Sequence, residues 1–326
     1  MMKRLVLVCS ALAFSATALA QANFPDKPVR LIVPFPPGGG TDVLGRILAG
    51  KLGEVWGQQV IVENRAGAQG SVGTAAGAKA APDGYTLTFA HQGALVINPH
   101  FYKDTGYDTL KDFAPVARTT EMAFIAVAHP SVPAANLREL AQYAKQNPGK
   151  LSFASSSAGP HIVGELFKQA TGTQLLHVPY KGAGPALNDL LGGQVNVMFS
   201  NPTSTIPHVR SGKLRGLGVM DSKRNPALPD VPSAGELGIA ELSNVIEWYG
   251  IVVPAATPAP IVQKLSADLL RILGMAEVRE RIQKTGQAPS PAGAEEFGRV
   301  MRADFERWKR VIGAAGIKPE IVGRAS

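Results

Sequence analysis

Cysteine is almost absent from this sequence: Cys9 is the only one among 326 residues, and it lies in the N-terminal segment. That segment has a short basic start, a mostly apolar stretch over residues 5–19, and the small-x-small sequence Ala18-Leu19-Ala20. The pattern predicts a cleavable signal peptide over residues 1–20, with an uncleaved N-terminal helix as the alternative. The mature chain would then have no cysteine, which excludes disulfides, a thiolate nucleophile and a cysteine metal site. Export without disulfides favours a bacterial periplasm.

Runs of like charge are also absent. The formal net charge of +8 falls to +6 once Lys3 and Arg4 leave with the signal peptide, and the remaining basic residues are scattered. The three tryptophans and six tyrosines do not interleave with arginines. We therefore expect no nucleic-acid-binding surface. A diffuse positive field would still attract small anions.

The motifs of metal sites and of common catalytic sites are missing as well. None of the six histidines forms H-E-x-x-H or a pair at metal-binding spacing, so no metal is expected. The acids show no pairing that would nominate a general acid and a general base. No cofactor is expected either. No segment after residue 20 is apolar for long enough to span a bilayer.

Alternating strands and helices are predicted along the chain, whose length and 45% hydrophobic content suffice for two domains. Apolar runs predict strands over residues 29–33, 59–63 and 85–90, separated by helices over residues 42–52 and 70–80. A second series has strands over residues 124–128, 151–154, 174–178, 195–199 and 214–219, with helices over residues 136–146, 160–170, 185–191 and 204–210. This order is typical of parallel sheets covered by helices.

The C-terminal part contains one predicted strand, over residues 247–253, and two helices, over residues 258–273 and 294–312. Thr257 is predicted to cap the first of these helices, with Pro258 at its first position. One strand and two helices are too few for a third domain. We therefore expect them to return to the first one.

A chain that returns in this way crosses twice between two lobes, here near residues 121–125 and 244–250. We predict a first lobe formed by residues 21–122 and 248–326, and a second lobe formed by residues 123–247. Two crossings make a hinge, and the cleft between two α/β lobes is a common place for a ligand.

The sequence PFPPGGGTD, over residues 34–42, joins the first strand to the first helix. Its glycine spacing matches neither G-x-G-x-x-G nor G-x-x-x-x-G-K-[ST], so it carries no nucleotide-binding motif. Glycines still let backbone N–H groups turn toward a ligand, and a helix start adds unpaired N–H donors, which suits a carboxylate as well as a phosphate. Asp42 is predicted to be the N-cap of this helix rather than a ligand contact. A plain tight turn is the alternative interpretation of the glycines.

Three serines follow a strand in the sequence SFASSSAGPHIVGELF. A nucleophile elbow needs G-x-S-x-G around Ser157, but Ser155 stands at the first glycine position. His161 lies four residues further on, yet no acid stands out to complete a triad. We expect the serines to act as neutral hydrogen-bond donors or as helix caps. An exported enzyme that uses Ser157 and His161 on a small acid is the alternative.

Two further polar loops also follow predicted strands. Tyr180 and Lys181 lie in one of them, and Ser200 and Asn201 lie in the other. In a parallel sheet, loops at the carboxyl ends of the strands face the ligand crevice. All four loops offer neutral donors without a convincing catalytic set, which favours a binding protein over an enzyme.

Five segments of the sequence occur together in one known family. They are FPDKPVRLIVPFPPGGGTD, VENRAGAQGSVG, APDGYTL, VPYKGAGPALNDLLGGQVNVMF and VVPAATPAPIVQKL, in this order. On these residues the chain resembles the substrate-binding receptors of tripartite tricarboxylate transporters, the TctC or Bug family, over essentially the whole mature chain.

The resemblance implies a periplasmic binding protein of the Venus flytrap type, with two α/β lobes whose mostly parallel sheets are flanked by helices. It implies a small organic carboxylate as ligand, a two-component membrane permease with a large and a small subunit as partner, and no catalysis. A monomer is the simplest interpretation of a hinged receptor. A ligand-sensing subunit of a signalling system is an alternative output. The implied ligand-binding residues are Pro34, Phe35, Gly38, Gly39, Gly40, Thr41, Asp42, Gln92 and Ala94 in the first lobe, and Ser155, Ser156, Ser157, His161, Tyr180, Lys181, Gly182, Ser200 and Asn201 in the second.

The sequence departs from the family pattern at two positions. Asn196 and Ser200 stand where many members carry aspartate. The missing acid at Ser200 removes an expected partner for a ligand amine. We therefore expect a plain carboxylate or a neutral-tailed acid rather than an amino acid.

Overall fold

The computed structural model describes residues 24–314. The predicted signal peptide and Cys9 lie outside the described residues. The strands are β1 (Val29–Val33), β2 (Val60–Asn64), β3 (Thr86–His91), β4 (Phe113–Ala123), β5 (Ile125–Ala128), β6 (Ser152–Ser155), β7 (Leu176–Pro179), β8 (Val197–Ser200), β9 (Arg215–Val219), β10 (Ile246–Pro254) and β11 (Ala288–Gly293). The helices are α1 (Gly40–Trp56), α2 (Ser71–Ala78), α3 (Asn98–Phe101), α4 (Leu137–Gln146), α5 (Ala158–Thr171), α6 (Ala183–Leu191), α7 (Pro202–Arg210), α8 (Ala259–Gly274), α9 (Ala276–Lys284) and α10 (Ala294–Ala314). Over this part of the chain, no helix combines the length and apolar character needed to cross a membrane.

Two mixed sheets organise these elements into two lobes. The first sheet has the order β11-β4-β10-β3-β1-β2 and the second has the order β7-β6-β8-β5-β9. Strands β1, β2 and β3 are parallel, as are β6, β7 and β8, whereas β10 and β5 are antiparallel to both of their neighbours. Four of six strands in the first sheet and four of five in the second therefore point the same way. The predicted two-lobed α/β fold is confirmed.

Helices cover both faces of each sheet because its strands carry apolar side chains on both sides, as expected for buried parallel strands. In the first lobe, Leu31 of β1 lies in the same buried cluster as Leu48 of α1 and Leu269 of α8. In the second lobe, Phe153 of β6 and Phe199 of β8 lie in one cluster. Burial of each such side chain contributes roughly 1.5–3 kcal/mol.

Strands β4 and β11 were not predicted. Strand β4 lies inside the first sheet, but its sequence FAPVARTTEMA does not alternate between buried and exposed positions. The register between β4 and β10 shifts twice, which breaks the period of two on which a prediction depends. Strand β11 contains two prolines, which an edge strand tolerates because one side of its backbone makes no ladder bonds.

The predicted cap at Thr257 is wrong. Helix α8 begins at Ala259, its N-cap is Pro258, and no side chain caps it. Thr257 is buried, and its hydroxyl has no hydrogen-bond partner in the described part of the chain.

The chain passes from one sheet to the other over a very short distance. Strand β4 ends at Ala123 in the first sheet and β5 begins at Ile125 in the second, so that only Phe124 separates them. The ring of Phe124 is buried in the core of the second lobe. The chain returns to the first sheet at Ile246, where β10 begins.

A pair of helix glycines tests the packing of the second lobe. A methyl group at Gly164 in α5 would lie 2.2 Å from the buried ring of Phe153, whereas one at Gly50 in α1 would meet nothing within 4 Å. We expect Gly164→Ala to destabilise the protein by about 1–3 kcal/mol through overpacking. Gly50→Ala should stabilise it by up to about 1 kcal/mol through helix propensity. Urea unfolding of both variants measures this difference, and equal midpoints would contradict the packing described.

Candidate ligand-binding site

A small cavity lies between the two lobes, with a volume of about 20 Å³, which is room for about one water molecule. The first lobe lines it with Phe35, Pro36, Gly39, Gly40, Thr41, His91, Glu247 and Tyr249. The second lobe lines it with Ser156, Ser157, Pro160, Ala183 and Asn201. No lysine or arginine is among these lining residues.

Four helices begin at this cavity. The N-caps are Gly39 for α1, Ser157 for α5, Gly182 for α6 and Asn201 for α7. Each of these helices directly follows a parallel strand, so all four loops lie at the carboxyl edges of the two sheets. The first backbone N–H groups of a helix have no partner within it, and its dipole is positive at this end. The cavity therefore attracts an anion without a charged side chain.

Asp42 holds the glycine loop of the first lobe in place. Helix α1 begins at Gly40, so Asp42 is its third residue and the predicted N-cap is wrong. The carboxylate accepts hydrogen bonds from the Gly38 N–H, from Arg46 Nε and from the side-chain amide of Asn64, each at 3.0 Å. Burial would raise the pKa of Asp42, but these hydrogen bonds outweigh it and lower the pKa below its ordinary value.

The two lobes touch directly around the cavity. The side-chain amide of Asn201 donates to the hydroxyl of Tyr249 at 3.0 Å, across the lobes. Gln287 of the first lobe donates to Thr203 Oγ1 of the second at 2.9 Å and accepts from Thr120 Oγ1 at 2.8 Å. These bonds hold the cleft in a closed arrangement.

Glycines allow this close approach. A Cβ atom at Gly40 would lie 2.7 Å from Asn201 Oδ1, and one at Gly182 would lie 2.7 Å from Pro36 Cδ. Larger residues at either position would hold the lobes apart.

A buried acid forms the floor of the cavity. Glu247 and His91 are both more than nine-tenths buried, and His91 Nε2 lies 3.2 Å from Glu247 Oε1. Tyr249 donates its hydroxyl hydrogen to Glu247 Oε2 at 3.2 Å. Burial raises the pKa of Glu247 to about 8 and lowers that of His91 to about 3. Both groups are therefore predominantly neutral near pH 7.

The serine loop is divided between two roles. Ser156 and Ser157 line the cavity, but Ser155 hydrogen-bonds to His177 Nε2 at 2.7 Å. The ring of His161 stacks on that of His177 with their centroids 3.7 Å apart. Burial, together with the neighbouring His161 and a nearby lysine, lowers the pKa of His177 to about 3. The histidine that the enzyme hypothesis requires thus packs against another ring and is not among the residues that line the cavity.

Several other predicted site residues make contacts of their own elsewhere. Gln92 donates to Asp304 of α10 at 2.8 Å, and the carbonyl of Ala94 accepts from the hydroxyl of Tyr107. Tyr180 donates to Asp189 at 2.7 Å. Lys181 is exposed.

The structure therefore divides the predicted residues into two groups. Those that line the cavity are Phe35, Gly39, Gly40, Thr41, Ser156, Ser157 and Asn201. Those that do not are Pro34, Gly38, Asp42, Gln92, Ala94, Ser155, His161, Tyr180, Lys181, Gly182 and Ser200.

Six lining residues were not predicted from the sequence, namely Pro36, His91, Pro160, Ala183, Glu247 and Tyr249. Glu247 did carry a signal, because it is an acid at the start of an otherwise apolar strand, IEWYGIVVP. Pro36, Pro160 and Ala183 lie within loop segments that the sequence had already singled out, whereas His91 and Tyr249 had no signal, since their place depends on how the strands are ordered. Over residues 24–314, no group of three or more histidine, cysteine, aspartate or glutamate side chains is arranged to hold a metal ion.

Comparison with known proteins gives consistent matches. The sequence profile of the tripartite tricarboxylate transporter family receptors, TctC, matches residues 44–317. The protein BugT of Bordetella pertussis is 35% identical over 93% of this chain and 94% of its own length.

Two solved structures from Rhodopseudomonas palustris have the same fold. Rpa4515 with adipate has a TM-score of 0.88, is 32% identical, and is matched over 91% of this chain and all of its own. MatC with bound malate has a TM-score of 0.83, is 32% identical, and is matched over 89% of this chain and all of its own.

The role of Asp42 can be tested by its removal. Asp42→Ala leaves the Gly38 N–H and one hydrogen of the Asn64 amide without their acceptor, so we expect a loss of about 1–3 kcal/mol in urea unfolding at pH 7. Because the pKa of Asp42 is lowered in the folded state, its stabilisation is full above the ordinary value of 3.8 and is lost as the pH falls below it. The free energies of unfolding of the unmodified protein and of Asp42→Ala should therefore become equal at low pH.

A matched control for this change is Glu295→Ala. Glu295 also lies in the first turn of a helix and pairs with an arginine four residues later, but both side chains are exposed. We expect this variant to change stability by less than about 1 kcal/mol. An equal loss in both variants would contradict the role given to Asp42.

Proposed function

The chain belongs to the family of tripartite tricarboxylate transporter receptors, and we propose that it is a periplasmic receptor that captures a small organic carboxylate and delivers it to a two-component membrane permease. The observation that carries this proposal is the convergence of four helix N-termini on one cavity between the lobes. Such a site binds a carboxylate through backbone N–H groups. Two relatives bound to dicarboxylates, adipate and malate, support this ligand class.

Capture proceeds by closure of the lobes. The glycine loop of α1 receives the carboxylate on the first lobe, and the starts of α5, α6 and α7 reach it only when the second lobe closes. The contacts of Asn201 with Tyr249 and of Gln287 with Thr203 then form as well. A ligand that adds contacts only in the closed state shifts the equilibrium toward it.

The hinge in this proposal lies at the two crossings between the sheets. We assign residues 24–123 and 246–314 to one lobe and residues 124–245 to the other, because β4 ends at Ala123 and β10 begins at Ile246 in the first sheet. Phe124, anchored in the core of the second lobe, separates two strands that belong to different sheets. Rotation about the backbone on either side of it would move one lobe against the other.

The receptor works as a monomer without catalysis. Ser157 and His161 form no side-chain hydrogen bond with each other in the described part of the chain. The acid at the cavity, Glu247, hydrogen-bonds to a tyrosine. No serine or threonine hydroxyl among the described lining residues hydrogen-bonds to a histidine, which supports this part of the proposal.

A panel of small organic acids, including adipate and malate, tests the function. A ligand that binds only the folded protein stabilises it by about 2.7 kcal/mol at one hundred times Kd. We expect the thermal midpoint of the purified protein to rise with at least one acid, and mass spectrometry to recover that acid unchanged. Recovery of a chemically altered acid would favour the exported-enzyme alternative. No rise with any acid would contradict the proposed ligand class.

A second experiment tests closure. Gly182→Ala places a methyl group against Pro36 of the other lobe, while Gly184→Ala, in the first turn of the same helix, meets nothing within 4 Å. We expect Gly182→Ala to raise Kd for the bound acid by about tenfold or more, equivalent to about 1.4 kcal/mol, with little change in unfolding. Gly184→Ala should leave Kd unchanged. If both variants bind like the unmodified protein, the closed arrangement is not the binding state.

A further inference from the structure

Glu247 is the one acid among the residues that line the cavity, and its two oxygens have different surroundings. Oε2 lies at the end of a directed chain of hydrogen bonds, in which Asn201 donates to the hydroxyl of Tyr249 and that hydroxyl donates to Oε2. Both lobes contribute to this chain. Oε2 is therefore an acceptor in the closed structure.

Oε1 has no hydrogen-bond partner within the described residues, although it is fully buried. His91 Nε2 lies 3.2 Å away but is not aligned for a hydrogen bond with it. His91 Nδ1 accepts from the backbone N–H of Ala94 at 3.3 Å, so the hydrogen of the neutral ring is on Nε2. Two polar groups thus lie side by side at the cavity without bonding to each other.

Within residues 24–314, no charged group compensates Glu247. The titratable groups that contact it are His91 from β3 and Tyr249 from its own strand. Helix α5 presents Gly159 to it, and α7 contributes Asn201 through Tyr249; neither carries a charge. An unpaired ionised carboxylate at such a place is strongly disfavoured, and burial accordingly raises the pKa of Glu247 to about 8.

We propose, on the basis of the function proposed above, that Glu247 binds the ligand as a neutral carboxylic acid. Because Oε2 accepts from Tyr249, the hydrogen is on Oε1, which then donates to a carboxylate oxygen of the ligand beside the donor Nε2–H of His91. Position 247 therefore selects a hydrogen-bond acceptor and rejects an ammonium group. Plain dicarboxylates and hydroxyacids fit this site, and amino acids oriented with the amine toward Glu247 do not.

A consequence is that binding takes up a proton. With the lobes open, water reaches Glu247 and its pKa returns toward the ordinary value of 4.5, whereas closure raises it to about 8. Between these values the closed complex holds one more proton than the open protein, so affinity falls as the pH rises, by up to about tenfold per pH unit. Closure has the opposite effect on His91, because burial lowers its pKa and so favours release of a proton. The contribution of His91 to the pH dependence of affinity remains when Glu247 is replaced.

Isothermal titration with adipate and with malate at several values between pH 6.5 and pH 8 tests the proposal. We expect the affinity of the unmodified protein to decrease with pH and proton uptake to appear as a difference between phosphate and Tris buffers. E247Q has a donor at every pH, so it should bind without that decrease. E121Q, on neighbouring strand β4 and outside the cavity lining, should keep the dependence of the unmodified protein.

The possible failures are distinct. If adipate, malate and the other acids of the panel do not bind the unmodified protein at any pH, the proposed function fails. A ligand of the panel could bind with the same affinity at every pH, or with equal pH dependence in E247Q. Either result would overturn the proposal that Glu247 is neutral and would leave the proposed receptor function standing. If aspartate binds more tightly as the pH rises and E247Q abolishes this, Glu247 is an ionised partner for an ammonium group. The buffer comparison needs no variant, so the proposal is tested even if E247Q does not fold.

Discussion

The placement of helix starts at the carboxyl ends of parallel strands is the constraint on which the rest of this structure depends. A strand followed by a helix that returns over the sheet must turn at one edge of that sheet, and several such units in one sheet turn at the same edge. Four of these turns, one from the first lobe and three from the second, meet at one cavity. The resulting field is positive although no cationic side chain lines the site. Such a field suits a small anion, because backbone dipoles contain no titratable group and need no long flexible side chain.

This way of binding makes the loops sensitive to steric bulk. Backbone N–H groups reach a ligand only if the loops come close, and Gly40 and Gly182 make two such close approaches between the loops of the cavity. Asp42 then supplies the rigidity that glycines lack, because its carboxylate ties the loop backbone to α1 and to Asn64 at the end of β2. The glycines thus allow the loop backbone to approach closely, and one buried side chain, that of Asp42, holds the loop in place.

The antiparallel strand β10 adds what the parallel units cannot. It enters the first sheet between β3 and β4, next to His91, and it brings Glu247 and Tyr249 to the cavity from a distant part of the chain. The pair of Glu247 and His91 remains neutral because no counterion accompanies it, and so it does not oppose the anion that the helix starts attract. The site thus combines fixed dipoles with neutral donors.

The sequence by itself determined the class of the fold, the order of most strands and helices, and the loops that meet at the cleft, because periodicity and turn residues act locally. It also indicated the family through motifs spread over residues 24–265. It did not reveal β4, whose bulges hide its period, or β11, whose prolines argue against a strand. Only the tertiary structure decided which residues of each loop line the cavity: Ser156 and Ser157 do, while Ser155 turns to His177 and Gln92 turns to Asp304. It also placed Glu247 at the cavity, because the pairing of β10 with β3 joins residues more than 150 positions apart, and no local pattern encodes that contact.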